Sequence, residues 1–187
     1  MATRWEALFA DLESQATALE IAERAVEVEE RTRIEVGRIR LLDRLRPAVG
    51  AALRLRILGD GGMTGRLVRA GPDWLLVLEA AGREAIIVSA AVLSLSGLGR
   101  LSAVPESESV VESRLGLRHV LRGIARDRSA VRISVLDGTT IDGTIDRLGA
   151  DFVEVAEHPA GELRRRDQVR EVAVVPLSAL TVVRRTA

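Results

Sequence analysis

The segment 160–171 carries a concentrated group of arginines that could bind phosphate groups. Four arginines lie within seven residues, at Arg164, Arg165, Arg166 and Arg170. Guanidinium groups bind phosphate oxygens in pairs, and several together can hold a nucleic acid backbone. Glu162, Asp167 and Glu171 are interleaved with them, which is typical of a solvated surface loop. The segment therefore predicts either a contact with RNA or an exposed hairpin.

The other residues with reactive side chains occur in patterns that indicate no reaction. His119 is predicted on a helix and His158 in a hairpin loop, and neither has an adjacent metal ligand or nucleophile. The segment "GDGG" at 59–62 joins two predicted strands and lacks the helix and the Gly-Lys-Ser/Thr element of a phosphate-binding loop. Closely spaced aspartates lack the glycine and terminal glutamate of a calcium loop; they are Asp137, Asp142, Asp146 and Asp151. We expect no enzyme activity, no metal and no cofactor.

Composition limits the classes of partner and location. The 187 residues include 27 basic residues, all arginine, and 27 acidic residues, so the formal net charge is zero. A dedicated nucleic acid binder usually has a basic excess. The chain has no cysteine, which excludes disulfides and thiolate metal sites. It also shows no apolar run long enough to span a membrane and no secretory signal, so we expect a cytoplasmic protein without a membrane partner.

Residues 4–46 are predicted to form one long helix. They contain no proline and only one glycine, Gly37, and are rich in Ala, Leu, Glu and Arg. A coiled-coil seam, interrupted at Glu29 and Arg33, is indicated by Leu8, Leu12, Leu19, Ala22 and Val26. A helix of about 40 residues is about 60 Å long, which exceeds what a small barrel can cover. We expect a homo-oligomer, with a dimer favoured; the alternatives are a helix folded back on its own chain or broken near Gly37.

The remainder of the chain contains an internal repeat. The segment 57–77 recurs at 135–155 without a gap, at an offset of 78 residues. Alternating apolar residues separated by glycine, proline and charge predict short strands in both copies. The closing segments, "IIVSAAVLSLS" at 86–96 and "VVPLSALTVVR" at 174–184, are offset by 88 because the second copy has a longer hairpin.

The residues shared by the two copies are predicted to be structural. Gly65 and Gly143 suit a sharp bend in the second strand, where a side chain would clash. The turn before the third strand is predicted from Gly71 and Asp73, and in the second copy from Gly149 and Asp151. The third strand then begins with an aromatic residue, which is predicted to lie in the core or at an interface; these residues are Trp74 and Phe152.

This unit resembles the Sm-like family, the small five-stranded barrels of Hfq and the LSm proteins. The resemblance rests on "DGTTIDGTIDRLGADFVEVA" with "VVPLSALTVV" and on "GDGGMTGRLVRAGPDWLLVL" with "IIVSAAVLSL", over roughly 50–98 and 128–185. Other SH3-like barrels, including the second domain of RimP proteins, look similar. The whole chain also resembles an actinobacterial family of which some members carry a Fis-type regulator label, although no helix-turn-helix with basic flanks is visible.

The family resemblance implies RNA binding, but the residues that contact RNA in the family differ here. The asparagine expected in the third strand is replaced by Leu75 and Val153, and the expected aspartate by Gly71 and Gly149. The Tyr-Lys-His run of Hfq is replaced by the segments 88–90 and 176–178. The usual nucleotide pocket is therefore not expected.

Together these patterns predict an α+β fold in which a long N-terminal helix precedes two tandem five-stranded Sm-like barrels. The expected domains are the helix at 1–46, the first barrel at 47–98, a linker at 99–110, and a second barrel with its own helix at 111–187. The leading hypothesis is a non-enzymatic, self-associating scaffold or adaptor whose barrels pair through their fourth and fifth strands. The alternative is an RNA-binding regulator that uses the arginine-rich hairpin or an oligomeric rim.

Overall fold

The computed structural model describes residues 4–80, 82–103, 115–159 and 171–186. The chain divides into two compact units, Met1–Arg40 and Leu41–Ala187. Among the described residues, the first unit contains one long helix, and the second contains the ten strands.

Helix α1 spans Arg4–Arg38. Its residues are good helix formers, and ion pairs between residues four apart support it. Arg31 Nη2 lies 2.7 Å from Glu27 Oε1, and Arg24 Nη2 lies 3.5 Å from Glu20 Oε2. Each of these exposed pairs contributes only a few tenths of a kcal/mol, about 0.3–0.5.

The second unit begins with a short helix α2, Leu41–Leu45, and contains a longer helix α3, Leu117–Asp127. The strands form two halves that correspond to the two copies of the repeat. The first half contains β1 (Ala52–Ile57), β2 (Gly61–Ala70), β3 (Trp74–Glu79), β4 (Glu84–Val88) and β5 (Val92–Ser96). The second half contains β6 (Ala130–Val135), β7 (Thr140–Leu148), β8 (Phe152–Glu157), β9 (Val172–Pro176) and β10 (Leu180–Arg185).

All of these strands belong to one antiparallel sheet with the order β5-β1-β2-β3-β4-β10-β6-β7-β8-β9. Within each half the order is the same: the fifth strand pairs with the first, which is followed by the second, third and fourth. The two halves are joined where β4 pairs with β10.

The predicted fold class, a long N-terminal helix followed by two tandem five-stranded barrels, is therefore wrong. The strands of both halves form a single ten-stranded sheet. The physical reason is that a strand edge carries unpaired N–H and C=O groups. The edge of β4 and the edge of β10 satisfy these groups by pairing with each other, so neither half is an isolated body.

The strand register repeats with the sequence. Leu53 lies opposite Gly65 in the first half, and Val131 lies opposite Gly143 in the second, again at an offset of 78. The irregularity between Leu67 and Arg69 recurs at the equivalent position of β7. The two copies of the repeat therefore share register as well as strand order.

Each half has its own hydrophobic core, and each core includes a side chain from the other half. In β1, Leu55 is buried while Arg54 and Arg56 are exposed, as expected for alternation across a strand. The core of the first half includes Val182 from β10. The core of the second half includes Trp74 from β3. These exchanges extend the junction from backbone pairing to apolar packing.

Helix α3 covers the core of the second half with residues spaced at i, i+4 and i+7, namely Leu117, Leu121 and Ile124. Its N-terminus is held by the first half: the Leu117 N–H donates to Asp73 Oδ1 at 2.7 Å, and Trp74 Nε1 donates to the Leu115 carbonyl oxygen at 2.7 Å. A carboxylate at this position satisfies one of the free N–H groups of the first turn.

Candidate self-association site

The contact between β4 and β10 joins the fourth strand of the first half to the fifth strand of the second half. The register places Val182 opposite Ile87, Val183 opposite Ile86, and Arg184 opposite Ala85. Most of these side chains are buried, since they pack against the two cores. The junction thus combines a backbone ladder with an apolar contact.

An arginine from β10 fastens this junction to the first half. Arg184 Nη1 and Nη2 donate to the two carboxylate oxygens of Asp60 at 2.8 and 2.6 Å, and Arg184 Nε donates to Glu79 Oε1 at 3.1 Å. Ser134 Oγ donates to Asp60 Oδ1 at 2.8 Å. Asp60 lies in the turn between β1 and β2, and Glu79 ends β3, so all four of these bonds cross between the halves.

The ion pair between Arg184 and Asp60 is mostly buried. The Arg184 side chain is 17% exposed, and that of Asp60 is 11% exposed. The hydrogen bonds from Arg184 hold the pKa of Asp60 below its usual value, against the opposing effect of burial. The same bonds raise the pKa of Arg184. Both groups are therefore charged in the folded protein at neutral pH.

The turns at the ends of β1 and β6 also touch, and Gly59 makes this approach feasible. Gly59 has φ of +72°, and a Cβ there would meet the carbonyl oxygens of Val135 and Leu136. Any other residue would be strained both by the backbone and by this contact. The first glycine of the "GDGG" segment therefore allows the two halves to come into contact.

The strands equivalent to the joined pair lie at the two ends of the sheet. At the offset of 88, β4 corresponds to β9 and β10 corresponds to β5, and both β9 and β5 are edge strands. Several apolar side chains on them are exposed: Leu93 by 62%, Val172 by 49% and Val174 by 61%. Thr181, which is the equivalent of Leu93 in the joined pair, is fully buried. The chain thus presents a fourth strand at one end and a fifth strand at the other.

The paired glycines predicted from the repeat lie where backbone or rings approach closely. A Cβ on Gly65 would lie 2.6 Å from the Leu78 carbonyl oxygen, and one on Gly143 would meet that of Ala156. Gly71 and Gly149 leave room for the rings of Trp74 and Phe152, which a Cβ would overlap. The N–H groups of Gly71 and Gly149 donate to the carbonyl oxygens of those aromatic residues, each at 2.8 Å.

The two aspartates that follow these glycines have different surroundings. Sequence analysis assigned Asp73 to its local turn, but its carboxylate binds the start of α3, 44 residues away. Both aspartates are exposed, but within the described residues the carboxylate of the equivalent Asp151 has no such bond. Local turn signals contain no information on a contact at this separation, so the sequence pattern could not reveal it.

The remaining predicted site residues lie on α1 or outside the described residues. On α1, Leu8, Leu12 and Leu19 are exposed by 46, 50 and 66%. The side chains of Ala22 and Val26 are outside the described part of the structure, as are Arg164, Arg165, Arg166 and Arg170.

The two histidines have different surroundings. His119 is exposed on α3, whereas His158 is 3% exposed, with Nε2 lying 2.8 Å from Thr144 Oγ1 and Nδ1 lying 3.1 Å from the Pro159 carbonyl oxygen. Within the described ranges, no cluster of three or more His, Asp or Glu side chains could hold a metal ion. His158 therefore serves as a buried polar link between β7 and the end of β8.

A groove of about 520 Å³ lies between α3 and the strands around the junction. Its apolar floor includes Leu76, Ile86 and Val183, and His119 and Asp127 lie among its lining residues. No serine or threonine is among the described residues that line it, so the groove does not place a hydroxyl nucleophile beside the histidine.

Sequence reasoning missed Asp60, Glu79 and Arg184, the charged residues of the junction. A signal was present in the comparison of the two copies, because Asp60 aligns with Gly138 and Arg184 aligns with Ser96. Charged residues that differ between otherwise similar copies mark positions where the two copies have different neighbours.

No protein-family model matches the chain, and no curated protein is significantly similar to it. In the part of the chain that the structure describes, no helix has both the length and the apolar character needed to cross a membrane. The geometry of the junction and of the free edges is therefore the basis for a functional assignment.

Proposed function

We propose that this protein is a non-enzymatic, self-associating scaffold or adaptor of the cytoplasm that joins copies through its two free sheet edges. The observation that carries the proposal is the pairing of β4 with β10 inside one chain. The equivalents of these strands, β9 and β5, are unpaired at opposite ends of the sheet. Each copy thus offers one partner of the same contact at each end. The resemblance to Sm-like proteins supports the same pairing of fourth and fifth strands.

The internal junction supplies the register for the contact between copies. Shifting its residues by 88 places Ser94 of one copy opposite Val175 of the next, Leu95 opposite Val174, and Ser96 opposite Ala173. Pro176, which has no N–H to donate, falls outside this paired stretch. The edge of β9 therefore keeps its donors where the register requires them.

Exposed apolar side chains favour closure of these edges. Val174 would move from solvent to the first-half core of the next copy, where Leu95 already packs. Burying a valine side chain contributes about 1.5 kcal/mol or more, and each backbone hydrogen bond adds about 1 kcal/mol. An edge left open also invites indiscriminate pairing. A contact of two unlike edges is head-to-tail, so it produces rings or chains of copies.

Helix α1 offers a second contact. The exposed Leu8, Leu12 and Leu19 follow coiled-coil spacing. Pairing of two such helices favours a dimer as the basic assembly, which the edge contacts then extend.

The edge hypothesis is tested by light scattering over a range of protein concentrations. The variant Val174→Lys places a charge on an exposed edge residue, and Val68→Lys, on an exposed position of β2, is the matched control. We expect the wild type and the control to exceed the mass of one chain, and Val174→Lys to form smaller assemblies. A wild type that stays monomeric at every concentration, or a Val174→Lys protein that matches the wild type, refutes the proposal.

RNA binding through the arginine-rich hairpin is the alternative function. Arg164, Arg165 and Arg166 lie outside the described residues, so this alternative stays a prediction from the sequence. It predicts that RNA binding weakens steeply with salt and on replacement of these three arginines. Binding that is absent or independent of salt would eliminate it.

A further inference from the structure

The internal junction has a defined electrostatic polarity. Its acids, Asp60 and Glu79, belong to the half that supplies the fourth strand, and its base, Arg184, belongs to the half that supplies the fifth strand. A contact between copies would have the same polarity only if the β9 side carried an acidic residue and the β5 side a basic residue.

The free edges keep this polarity with different residues. On the β9 side, Glu157 is the repeat equivalent of Glu79. On the β5 side, Arg184 is replaced by Ser96, but Ser134 is replaced by Arg56 on the neighbouring strand β1. The arginine has moved by one strand while the sign of the charge on that side is unchanged.

These charges have no ion-pair partner within the described part of the chain. Neither Arg56 nor Glu157 takes part in any of its salt bridges, although Arg132 pairs with Asp142 at 2.8 Å. Arg56 is exposed on the outer face of β1, beside the small residues Ser94 and Gly62. It is therefore free to reach an acid that is brought to this face.

We propose that Arg56 of one copy pairs with Glu157 of a second copy when β5 and β9 join in the register of the internal junction. This inference rests on the proposed function and identifies the partner surface as a second copy of this chain. In the internal junction, Ser134 Oγ lies 2.8 Å from Asp60 Oδ1, and Arg184 Nη1 lies 2.8 Å from the same oxygen. A side chain that starts at the Ser134 position thus begins next to the Arg184 guanidinium. With serine at position 96, the Arg56 guanidinium enters that space and meets the equivalent of Glu79.

The contact between copies is accordingly weaker and more sensitive to salt than the internal one. The position of Asp60 is occupied by Gly138, so one carboxylate replaces the two that Arg184 binds. A single pair near the surface is screened by salt, and it contributes to orientation and partner choice as well as to affinity. The halves within a chain stay joined under conditions in which the copies separate.

A charge exchange tests the pairing by sedimentation velocity of the full chain at low and at high salt. Arg56→Glu and Glu157→Arg each place like charges opposite each other, and we expect each to weaken association about tenfold at low salt. The double variant Arg56→Glu/Glu157→Arg restores the pair with reversed polarity and is expected to regain most of the wild-type association. Arg66→Glu is the matched control, because Arg66 is an exposed arginine of the first half that lies on β2, opposite Ala52 and away from the β5 edge.

The outcomes separate this inference from the proposed function. A wild type that associates and a double variant that is no better than the single variants overturn the Arg56–Glu157 pairing and leave edge association standing. An effect of Arg66→Glu equal to that of Arg56→Glu also overturns it, since a general charge effect would then explain the loss. So does an Arg56→Glu variant that associates normally but loses RNA binding, because the arginine would then belong to a nucleic acid surface. A wild type that does not associate refutes the proposed function itself.

Discussion

The substitution Arg184→Met tests how the two halves are held together within one chain. It retains most of the apolar stem of the side chain but removes the guanidinium that binds Asp60 and Glu79. Both carboxylates are then left close together with little solvent, since Asp60 is 11% and Glu79 13% exposed. The variant therefore loses the attraction and also retains the cost of burying the charges.

The expected loss of stability follows from these contacts. Breaking a buried ion pair by removing one partner costs about 3–5 kcal/mol, and the partial exposure of Arg184 favours the lower end, about 3 kcal/mol. With a denaturant slope of about 2 kcal/mol per molar urea, the unfolding midpoint shifts by about 1.5 M. Arg185→Met is the matched control, because Arg185, the neighbour of Arg184 on β10, is 55% exposed and donates to Ser129 Oγ. The loss of stability in this variant is expected to stay below about 1 kcal/mol.

The assay is urea unfolding followed by circular dichroism at several pH values. The pKa of Asp60 is lowered in the folded state relative to its ordinary value of 3.8. Its contribution is therefore complete above about pH 4 and is lost as the pH falls through the lower folded pKa. The stability difference between wild type and Arg184→Met should shrink as the pH is lowered below 4. A shift in midpoint no larger than that of Arg185→Met, or a difference that does not change with pH, would refute the assigned role.

Three further predictions concern the repeat and the helices. Gly65→Ala is expected to lower the free energy of unfolding by about 3 kcal/mol, because the added Cβ would lie 2.6 Å from the Leu78 carbonyl oxygen. Gly62→Ala, where an added Cβ would have nothing within 4 Å, should change the free energy of unfolding little. Equal unfolding midpoints of the two variants in urea would contradict this prediction. Asp73→Ala should destabilise by about 1 kcal/mol through loss of the bond to the start of α3. Asp151→Ala, at the equivalent position without such a bond among the described residues, should destabilise by less, and a thermal melt in which the two agree would count against the difference. Leu12→Glu on α1, at a side chain that is 50% exposed, should reduce the assembly mass measured by light scattering without lowering helix content by circular dichroism, and an unchanged mass would remove α1 from the association model.

The alternation of apolar and polar residues revealed strands but not their partners. In β1, Leu53, Leu55 and Ile57 alternate with Arg54 and Arg56, and the structure buries the first set and exposes the second. The repeat likewise indicated two copies of the same strand order, which the sheet contains. Alternation assigns faces within a strand, but any edge strand with free backbone groups can pair with any other. The pairing of a fourth strand with a fifth was expected only from the resemblance to Sm-like proteins, and alternation alone did not predict that β4 and β10 would join both copies into one sheet.

The charged residues of the junction were hidden for a related reason. Arg184 and Asp60 are 124 residues apart, and each is an ordinary surface residue type in a strand end or turn. Their pairing depends on which strands meet. Once the sheet order is known, the comparison of equivalent positions, such as Arg184 with Ser96, indicates which charges serve the internal junction and which remain for another copy.

Cysteine crosslinking provides the most direct test of edge association, because the chain contains no cysteine of its own. In the transferred register, Leu95 of one copy lies directly opposite Val174 of the next, as Val183 lies opposite Ile86 within the chain. Directly opposite residues have Cα atoms about 4.5–5.5 Å apart, which suits a disulfide. The variant Leu95→Cys/Val174→Cys is therefore predicted to form disulfide-linked chains under mild oxidation, and Leu95→Cys/Val172→Cys, shifted by two residues along β9, to form far fewer. Equal crosslinking in the two variants, or none in the first, would contradict the joining of copies through β5 and β9.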